Sequence, residues 1–81
     1  MLVSGQIRAG RHAVGWSAEQ LATQSGVARR TIVSIERENG VPTANASTLV
    51  KIQNALEAAG IEFIGTPNDG PGIRIRLADH R

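Results

Sequence analysis

The sequence predicts a mainly α fold, a bundle of about four helices followed by a short two-stranded β element. Three observations lead to this prediction. Between residues 4 and 60, apolar residues recur three or four positions apart, the period of a buried helix face. Glycines interrupt that pattern where helices are expected to end. After residue 60 the period changes to two, which is typical of strands. We therefore expect residues 1–60 to form a helical domain and residues 61–81 a strand pair that packs on it or dimerises.

The composition is that of one small folded domain. The chain has 81 residues, of which 41% are hydrophobic, enough for a small core. It has no cysteine, which excludes disulfides and thiolate metal sites, and His12 and His80 have no ligand spacing around them. We expect no metal and no cofactor. No apolar run approaches the ~20 residues that span a membrane, and the N-terminus does not resemble a secretion signal. A cytoplasmic protein is the simplest interpretation.

The first helix is predicted to begin at Ser4, acting as the N-cap, and to end at Gly15. Ile7 and Val14 lie one heptad apart on its apolar face. Gly10 on the same face costs ~1 kcal/mol relative to alanine. Two interpretations remain open: the cost is simply tolerated, or another element packs very close at this point.

The second and third helices have clear ends. Ser17 and Gln20 form an S-x-x-Q capping box, in which each side chain bonds a free backbone N–H near the other. Gly26 ends the second helix after about two turns. The third helix is predicted over residues 28–38, and Asn39-Gly40 ends it because both residues tolerate a left-handed conformation.

The C-terminal part changes from helix to strand. A fourth helix is predicted over residues 47–60, with Gly60 as its C-terminal cap. Residues 61–64 and 73–77 are short and rich in β-branched residues, and residues 65–72 between them form a loop rich in turn residues. The two strands are expected to be antiparallel, paired as a hairpin or across a dimer. Their apolar face must pack on another element, because an isolated two-stranded ribbon is marginally stable.

Small and apolar residues indicate how the second and third helices meet. Ala22 is small where the helices must approach closely, and Gly26 supplies a positive φ in the turn. Val27, Ile32 and Ile35 anchor the third helix to the core. This pattern indicates a helix-turn-helix, a motif that exposes one helix at the surface so that it can enter the DNA major groove. An ordinary helical hairpin is the alternative.

The segment GWSAEQLATQSGVARRTIVSIERENG resembles the DNA-binding domain of the Cro and phage-repressor type, the Xre-like bacterial regulators. The resemblance covers roughly residues 4–59 and four of the five helices usual in that lambda-repressor-like fold. It implies a DNA-binding domain over residues 1–60, with the helix-turn-helix at about residues 17–38 and the recognition helix at about residues 28–38.

Three features depart from the family pattern. Ala28 stands where serine is common at the start of the recognition helix, and Ala18 replaces a frequent DNA-contacting glutamine. The two strands take the place of the fifth helix. The departures concern DNA contacts and dimer geometry more than the fold.

The resemblance implies that the exposed face of the recognition helix consists of Arg29, Arg30, Val33, Ser34 and Arg37. Arginine bonds both major-groove acceptors of guanine at once, worth about 1–3 kcal/mol of discrimination. We expect Arg29 and Arg30 near bases and Arg37 near the backbone; merely solvated side chains are the alternative. The N-terminal half of the chain also carries the excess of positive charge, as expected if it meets phosphate.

Further DNA contacts are expected at the edges of the motif. Ser17 begins the first motif helix, where its hydroxyl and the free N–H groups behind it suit a phosphate, and Gln20 belongs to the same capping box. Asn39, Thr43 and Asn45 lie in the connection that approaches the backbone in this family. Plain capping and ordinary turn formation are the alternatives for these residues.

Two side-chain pairs are expected to be structural. In the family, an arginine late in the first helix pairs with the glutamate that ends the I-x-x-I-E segment, and Arg11 and Glu36 match those positions. We predict a partly buried ion pair that orients the recognition helix; two independent surface charges are the alternative. Trp16 is expected to pack with Leu21 as a hydrophobic staple, although an exposed tryptophan also stacks on bases.

Two functions from different classes follow. The leading hypothesis is a sequence-specific regulator of transcription, a repressor that binds double-stranded DNA as a homodimer. The alternative is an antitoxin-like or adaptor module that binds a protein partner through its C-terminal strand, Ile73–Leu77. An enzyme is not expected, because the sequence has no nucleophile–base arrangement, paired carboxylates or phosphate-cradling glycine motif.

Overall fold

A computed structural model describes residues 2–76 of the chain. In chain order its elements are the helices α1 (Ser4–Ala13), α2 (Ala18–Ser25), α3 (Arg29–Arg37) and α4 (Ala46–Ala58), then the strands β1 (Ile61–Thr66) and β2 (Asp69–Ile75). This architecture confirms the predicted fold class, a mainly helical domain with a short C-terminal sheet. The predicted strand residue Leu77 and residues 78–81 lie outside the described part.

One apolar core joins all four helices to the first strand. Its buried residues are Leu2, Ile7, Leu21, Val27, Ile32, Ile35, Leu49, Ile52, Leu56 and Ile61. Full burial of side chains of this size stabilises the fold by about 1.5–3 kcal/mol each, before the entropy of ordering is subtracted. All ten of these residues are aliphatic, and the aromatic residues Trp16 and Phe63 pack against them from the edge of the core.

The start of α1 differs from the prediction. Val3 is the N-cap and Ser4 is the first helical residue, so the prediction that Ser4 caps the helix is wrong. The Ser4 N–H donates to the carbonyl of Gly40 at 2.8 Å, which holds this residue inside the fold with its Oγ buried. Gln6 performs the reciprocal part of the cap, because its Oε1 accepts from the Val3 N–H at 2.9 Å.

Gly10 lies where α4 and β1 pack against α1. A Cβ at this position would lie 3.4 Å from Cγ2 of Ile61 and 3.5 Å from Cδ1 of Leu56. These are ordinary van der Waals distances, so α4 and β1 pack on α1 here without requiring glycine, and the two interpretations left open by the sequence stay open.

The junction of α2 and α3 has the form that the sequence predicts. The Ser17 Oγ accepts from the Gln20 N–H at 3.1 Å, and the Gln20 Oε1 accepts from the Ser17 N–H at 2.7 Å. Gly26 has φ 76°, and its N–H donates to the carbonyl of Ala22 at 2.9 Å. This left-handed residue ends α2 and turns the chain into α3 within three residues.

The strands pair with each other within one chain. Ile61 lies opposite Ile75 and Phe63 lies opposite Ile73 in an antiparallel register. The prediction of a loop over residues 65–72 is wrong in most of that range, because the strands continue to Thr66 and Asp69. A register shift between Ile64 and Thr66 lets this glycine-rich segment keep pairing.

A buried glutamine fixes the hairpin to α1. The Gln6 Nε2 donates to the carbonyls of Ile64 at 3.0 Å and Gly72 at 2.8 Å, one on each strand. Phe63 and Ile73 pack against the edge of the core. The hairpin therefore has the packing partner that an isolated ribbon would lack.

Within residues 2–76, no helix is both long enough and apolar enough to cross a membrane.

Candidate nucleic-acid interface

Helix α3 presents one face to the core and the opposite face to solvent. Ile32 and Ile35 are buried three positions apart, and α3 packs on α1 and α2. The five residues predicted to face DNA lie on the other side of the helix. Arg29, Arg30, Ser34 and Arg37 are exposed, and Val33 is half-buried. The packing of two isoleucines thus determines which side chains α3 offers to a partner.

The arginines of the described residues fall into two groups. Arg8 donates to the carbonyl of Glu36, Arg11 binds the Glu36 carboxylate, and Arg74 and Arg76 bind Glu62. Within residues 2–76, no hydrogen bond or ion pair engages the guanidinium groups of the three arginines on α3, which are Arg29, Arg30 and Arg37. Among residues 2–76, the arginines whose guanidinium groups have no protein partner therefore all lie on one helix.

Two of these arginines occupy an unfavourable position for helix stability. Arg29 and Arg30 are the first two residues of α3, where the helix dipole is positive. The first turn contains no acidic residue, and the N-cap, Ala28, makes no side-chain cap bond. Two exposed cations therefore lie at the positive end of the helix dipole, an arrangement that favours an anionic partner.

A partly buried ion pair orients α3 on α1. The Arg11 Nε lies 2.8 Å from the Glu36 Oε2, and the Arg11 Nη2 lies 2.8 Å from the Glu36 Oε1. A third donor, Arg11 Nη1, bonds the carbonyl of Trp16 at 2.9 Å. The hydrogen bond to Glu36 raises the pKa of Arg11 above its ordinary value, against the opposing effect of burial. One guanidinium thus connects α1, the α1–α2 turn and α3.

The start of α2 is exposed beside this face. Ser17 and Gln20 are both exposed, and their side chains are engaged in the capping box described above. The N–H groups of Ala18 and Glu19, at the first turn of the helix, have no intrahelical partner. Capping is the role that the geometry displays; the phosphate contact at Ser17 and Gln20 stays a prediction.

The loop between α3 and α4 carries the other three predicted contact residues. Asn39, Thr43 and Asn45 are exposed. Asn45 caps α4, since its Oδ1 accepts from the Thr48 N–H at 2.9 Å. Capping uses the side-chain oxygen of Asn45, whereas a phosphate would accept from its side-chain nitrogen, so the two roles are compatible. The phosphate contact of Asn45 stays a prediction.

Glu38 is a residue of this region that the sequence analysis missed. Its Oε1 accepts from both the N–H of Thr43 at 3.0 Å and the hydroxyl of Thr43 at 3.1 Å. This bond closes the loop beside α3 and forms one wall of an open cavity of about 310 Å³. The cavity is also lined by Arg30 and Ser34. A glutamate five residues before a threonine has no recognised spacing signal, which is why the contact was not predicted.

Trp16 packs against the edge of the core and is half-buried. It stands directly before the Ser17 cap and one turn ahead of the buried Leu21, as a hydrophobic staple requires. Its ring therefore has a packing role at the entry to α2.

The described residues contain no group of three or more histidine, aspartate or glutamate side chains placed to hold a metal ion. A family model described as helix-turn-helix matches residues 7–62, more than half of the chain. No curated protein matches the sequence.

Proposed function

This chain belongs to the helix-turn-helix family of Cro and phage-repressor type, a family of DNA-binding regulators of transcription, and we propose that it is a homodimeric repressor of specific operators. In this proposal α3 is the recognition helix and enters the major groove. The protein acts by occupying its operator, without a cofactor and without catalysis. Chromosomal DNA as the target implies a cytoplasmic protein that associates with the nucleoid.

The distribution of arginine contacts is the observation that carries the proposal. Within residues 2–76, the guanidinium groups of Arg29, Arg30 and Arg37 have no protein acceptor, whereas the other arginines of that range bind protein oxygens. A guanidinium presents five N–H donors in a planar fork, which matches the O6 and N7 acceptors of guanine. We assign Arg29 and Arg30 to base edges, with Val33 and Ser34 beside them.

Backbone contacts position the helix without reading the sequence. Arg37, at the end of α3, is assigned to a phosphate. The free N–H groups at the start of α2 suit a second phosphate beside Ser17 and Gln20. Asn39, Thr43 and Asn45 are assigned to the backbone on the other side of the motif. For Thr43 this contact requires a phosphate to share or replace the bond to Glu38.

A dimer follows from the size of the interface. A single small module buries roughly 600–1,000 Å² of protein surface on DNA, at the low end for specific complexes. Two copies related by a two-fold axis would present their α3 helices about 34 Å apart, one helical turn of DNA. The proposed operator is therefore an inverted repeat.

Selection of binding sites from random double-stranded DNA by the wild-type protein tests the proposal. We expect enrichment of one inverted repeat, and an affinity for it that falls steeply with salt because phosphate contacts release counterions. A reporter gene behind the selected site should be repressed when the protein is expressed. Selection that yields no common sequence would remove the regulator proposal.

One observation favours the second candidate function, capture of a protein partner by strand addition. Ile75, near the end of β2, is 50% exposed although it lies opposite the buried Ile61. Strand addition at this edge would cover it. Co-purification with the product of an adjacent gene, abolished by Ile75→Asp while DNA binding persists, would support this function. If Ile75→Asp retained both the partner and DNA binding, this second function would be contradicted.

A further inference from the structure

The dipeptide Asn39-Gly40 lies in the loop that leaves α3, directly after Glu38, the C-cap of that helix. Both residues are exposed to solvent. Of the four asparagines in the chain, Asn39 alone precedes a glycine. Glycine has no Cβ, so its backbone nitrogen can approach the side chain of the preceding residue without steric crowding. The two residues therefore bring an amide carbon and a backbone nitrogen together at the surface.

Neither of these two reacting groups is held by another part of the fold. Within residues 2–76, the side chain of Asn39 makes no hydrogen bond, and the N–H of Gly40 donates none. The surroundings are also open, because a Cβ placed on Gly40 would meet no neighbouring atom within 4 Å. The Gly40 carbonyl, in contrast, accepts from the Ser4 N–H at 2.8 Å. The fold thus fixes the far side of the Gly40 residue and leaves its nitrogen free.

We propose that Asn39 is a site of spontaneous covalent modification, deamidation through a succinimide. The Gly40 nitrogen loses its proton and attacks Cγ of Asn39, and the new bond closes a five-membered ring. The bond from Cγ to Nδ2 then breaks, and the nitrogen leaves as ammonia. Water opens the ring at either of its two carbonyls, which gives aspartate or isoaspartate. One water is consumed and one ammonia released for each conversion, with no cofactor, oxidant or enzyme.

The other three asparagines lie in settings that oppose the same reaction. Asn45 caps α4 with its Oδ1, which accepts from the Thr48 N–H at 2.9 Å. Asn54 lies inside α4, where the next backbone N–H is engaged in the helix. Asn68 precedes an aspartate, whose side chain crowds the nitrogen and whose charge disfavours the loss of its proton. These residues serve as internal controls within one chain.

The modification would change the charge and the backbone of the proposed DNA-binding face. A carboxylate would replace a neutral amide at the negative end of the α3 dipole, where Asn39 is assigned to a phosphate. Isoaspartate also lengthens the main chain by one carbon beside Glu38, whose Oε1 accepts from the Thr43 N–H at 3.0 Å. DNA binding should therefore decline as the protein ages. This consequence rests on the proposed function, whereas the chemistry at Asn39 does not.

Peptide mapping by mass spectrometry tests the modification itself. The full chain is incubated at neutral pH and physiological temperature, and samples are digested over time. We expect the small mass increase of amide replaced by acid to appear first at Asn39, with both aspartate and isoaspartate among the products. Asn45 and Asn54 should stay unchanged over the same period. Asn39→Gln keeps the amide but would have to close a larger ring, so residue 39 of this variant should not be converted.

Mobility shifts on a duplex recovered by selection test the consequence, with each protein compared with its own affinity before incubation. The wild-type affinity should fall in step with the conversion of Asn39, and Asn39→Gln should keep its starting affinity. Freshly prepared Asn39→Asp should bind more weakly than fresh wild type. Its loss should be similar on specific and non-specific DNA, because phosphate contacts carry no sequence information.

Three outcomes would overturn the proposal or one of its steps. Conversion of Asn39 that is no faster than that of Asn45 and Asn54 would remove the site. Conversion to aspartate without isoaspartate would rule out the succinimide. An Asn39→Asp protein that binds DNA like the wild type would remove the consequence. If the fresh wild-type chain binds no DNA, the proposed function has failed, and peptide mapping still decides the modification.

Discussion

At the scale of single residues, the first turn of α3 combines poor helix stability with a suitable charge for DNA. Arg29 and Arg30 oppose the helix dipole, and Ala28 leaves the cap without a side-chain bond. A sequence optimised for stability alone would have an acidic residue and a serine here. The two arginines are explained if their partner is an anion that the free protein lacks.

Arg29→Glu should therefore change stability and DNA binding in opposite directions. Replacing a cation by an anion at the helix N-terminus is expected to raise the free energy of unfolding by about 0.3–1 kcal/mol. The same change would remove the proposed base contact and add repulsion from phosphate, so specific binding should be lost. Urea denaturation and a gel mobility shift measure the two effects.

Arg37→Glu is the matched control, because Arg37 lies in the last turn of the same helix, where a cation is favourable. This variant should lose stability as well as affinity. An Arg29→Glu protein that binds its operator like the wild type would contradict the assigned contact.

At the scale of elements, the pairing of Arg11 with Glu36 holds α3 against α1. Glu36→Gln keeps the shape of the side chain and removes the charge that receives two bonds from Arg11. We expect the free energy of unfolding to fall by about 1–3 kcal/mol, since a partly buried guanidinium would lose its ionic partner. Chemical denaturation of both proteins measures the difference.

The effect of Glu36→Gln should be the same at pH 6 and pH 9. The pKa of Arg11 is raised in the folded protein, so its contribution is fully present below its ordinary value and is lost only at more alkaline pH. Unchanged stability in the variant would show that the two side chains act as independent surface charges.

The hairpin has its own charged contact, with an opposite dependence on pH. The bond from Arg76, followed by the charges of Arg74 and Arg76, lowers the pKa of Glu62. The folded state thus favours the ionised carboxylate, so its contribution is present above the ordinary glutamate pKa of about 4.3 and fades as pH falls through the lowered value.

Glu62→Gln should consequently reduce the acid sensitivity of the fold. The difference in Tm between wild type and variant is expected to be larger at pH 6 than at pH 3, and to be small because all three side chains are exposed to solvent. Differential scanning calorimetry at the two pH values measures it. A difference that grows toward pH 3 would contradict the assigned pKa direction.

Local signals in the sequence predicted most helices and strands. The predictions that were wrong concern residues whose conformation depends on contacts distant in the sequence or on an irregularity in the strands. The capping box at Ser17 and the turn at Gly26 depend on neighbours within three or four residues, so the sequence contains them. Ser4 was misassigned because its N–H bonds Gly40, a residue 36 positions away that no local pattern reveals. The strands of the hairpin were predicted too short. Their glycines were interpreted as loop residues, whereas glycine also fits a β-bulge within a strand pair.

At the scale of the whole molecule, the fold divides the arginines by what they bind. The resemblance to a known family identified α3 as the helix that faces a partner, and its burial pattern agrees. The resemblance predicted the pairing of Arg11 with Glu36, but sequence reasoning did not reveal the partners of Arg8, Arg74 and Arg76, because those contacts depend on how α1, α3 and the hairpin pack.

The central claim is that Arg29 and Arg30 read bases, and parallel sequence selection with wild type, Arg29→Ala and Arg30→Ala tests it most directly. Arg74→Ala is the control, an exposed arginine bound to Glu62 on the hairpin. We predict that the wild type enriches an inverted repeat with half-sites about 10–10.5 base pairs apart. Each α3 variant should relax the preference at one position per half-site by about 1–3 kcal/mol, and Arg74→Ala should keep the wild-type preferences. Wild-type base preferences in both α3 variants would contradict the account.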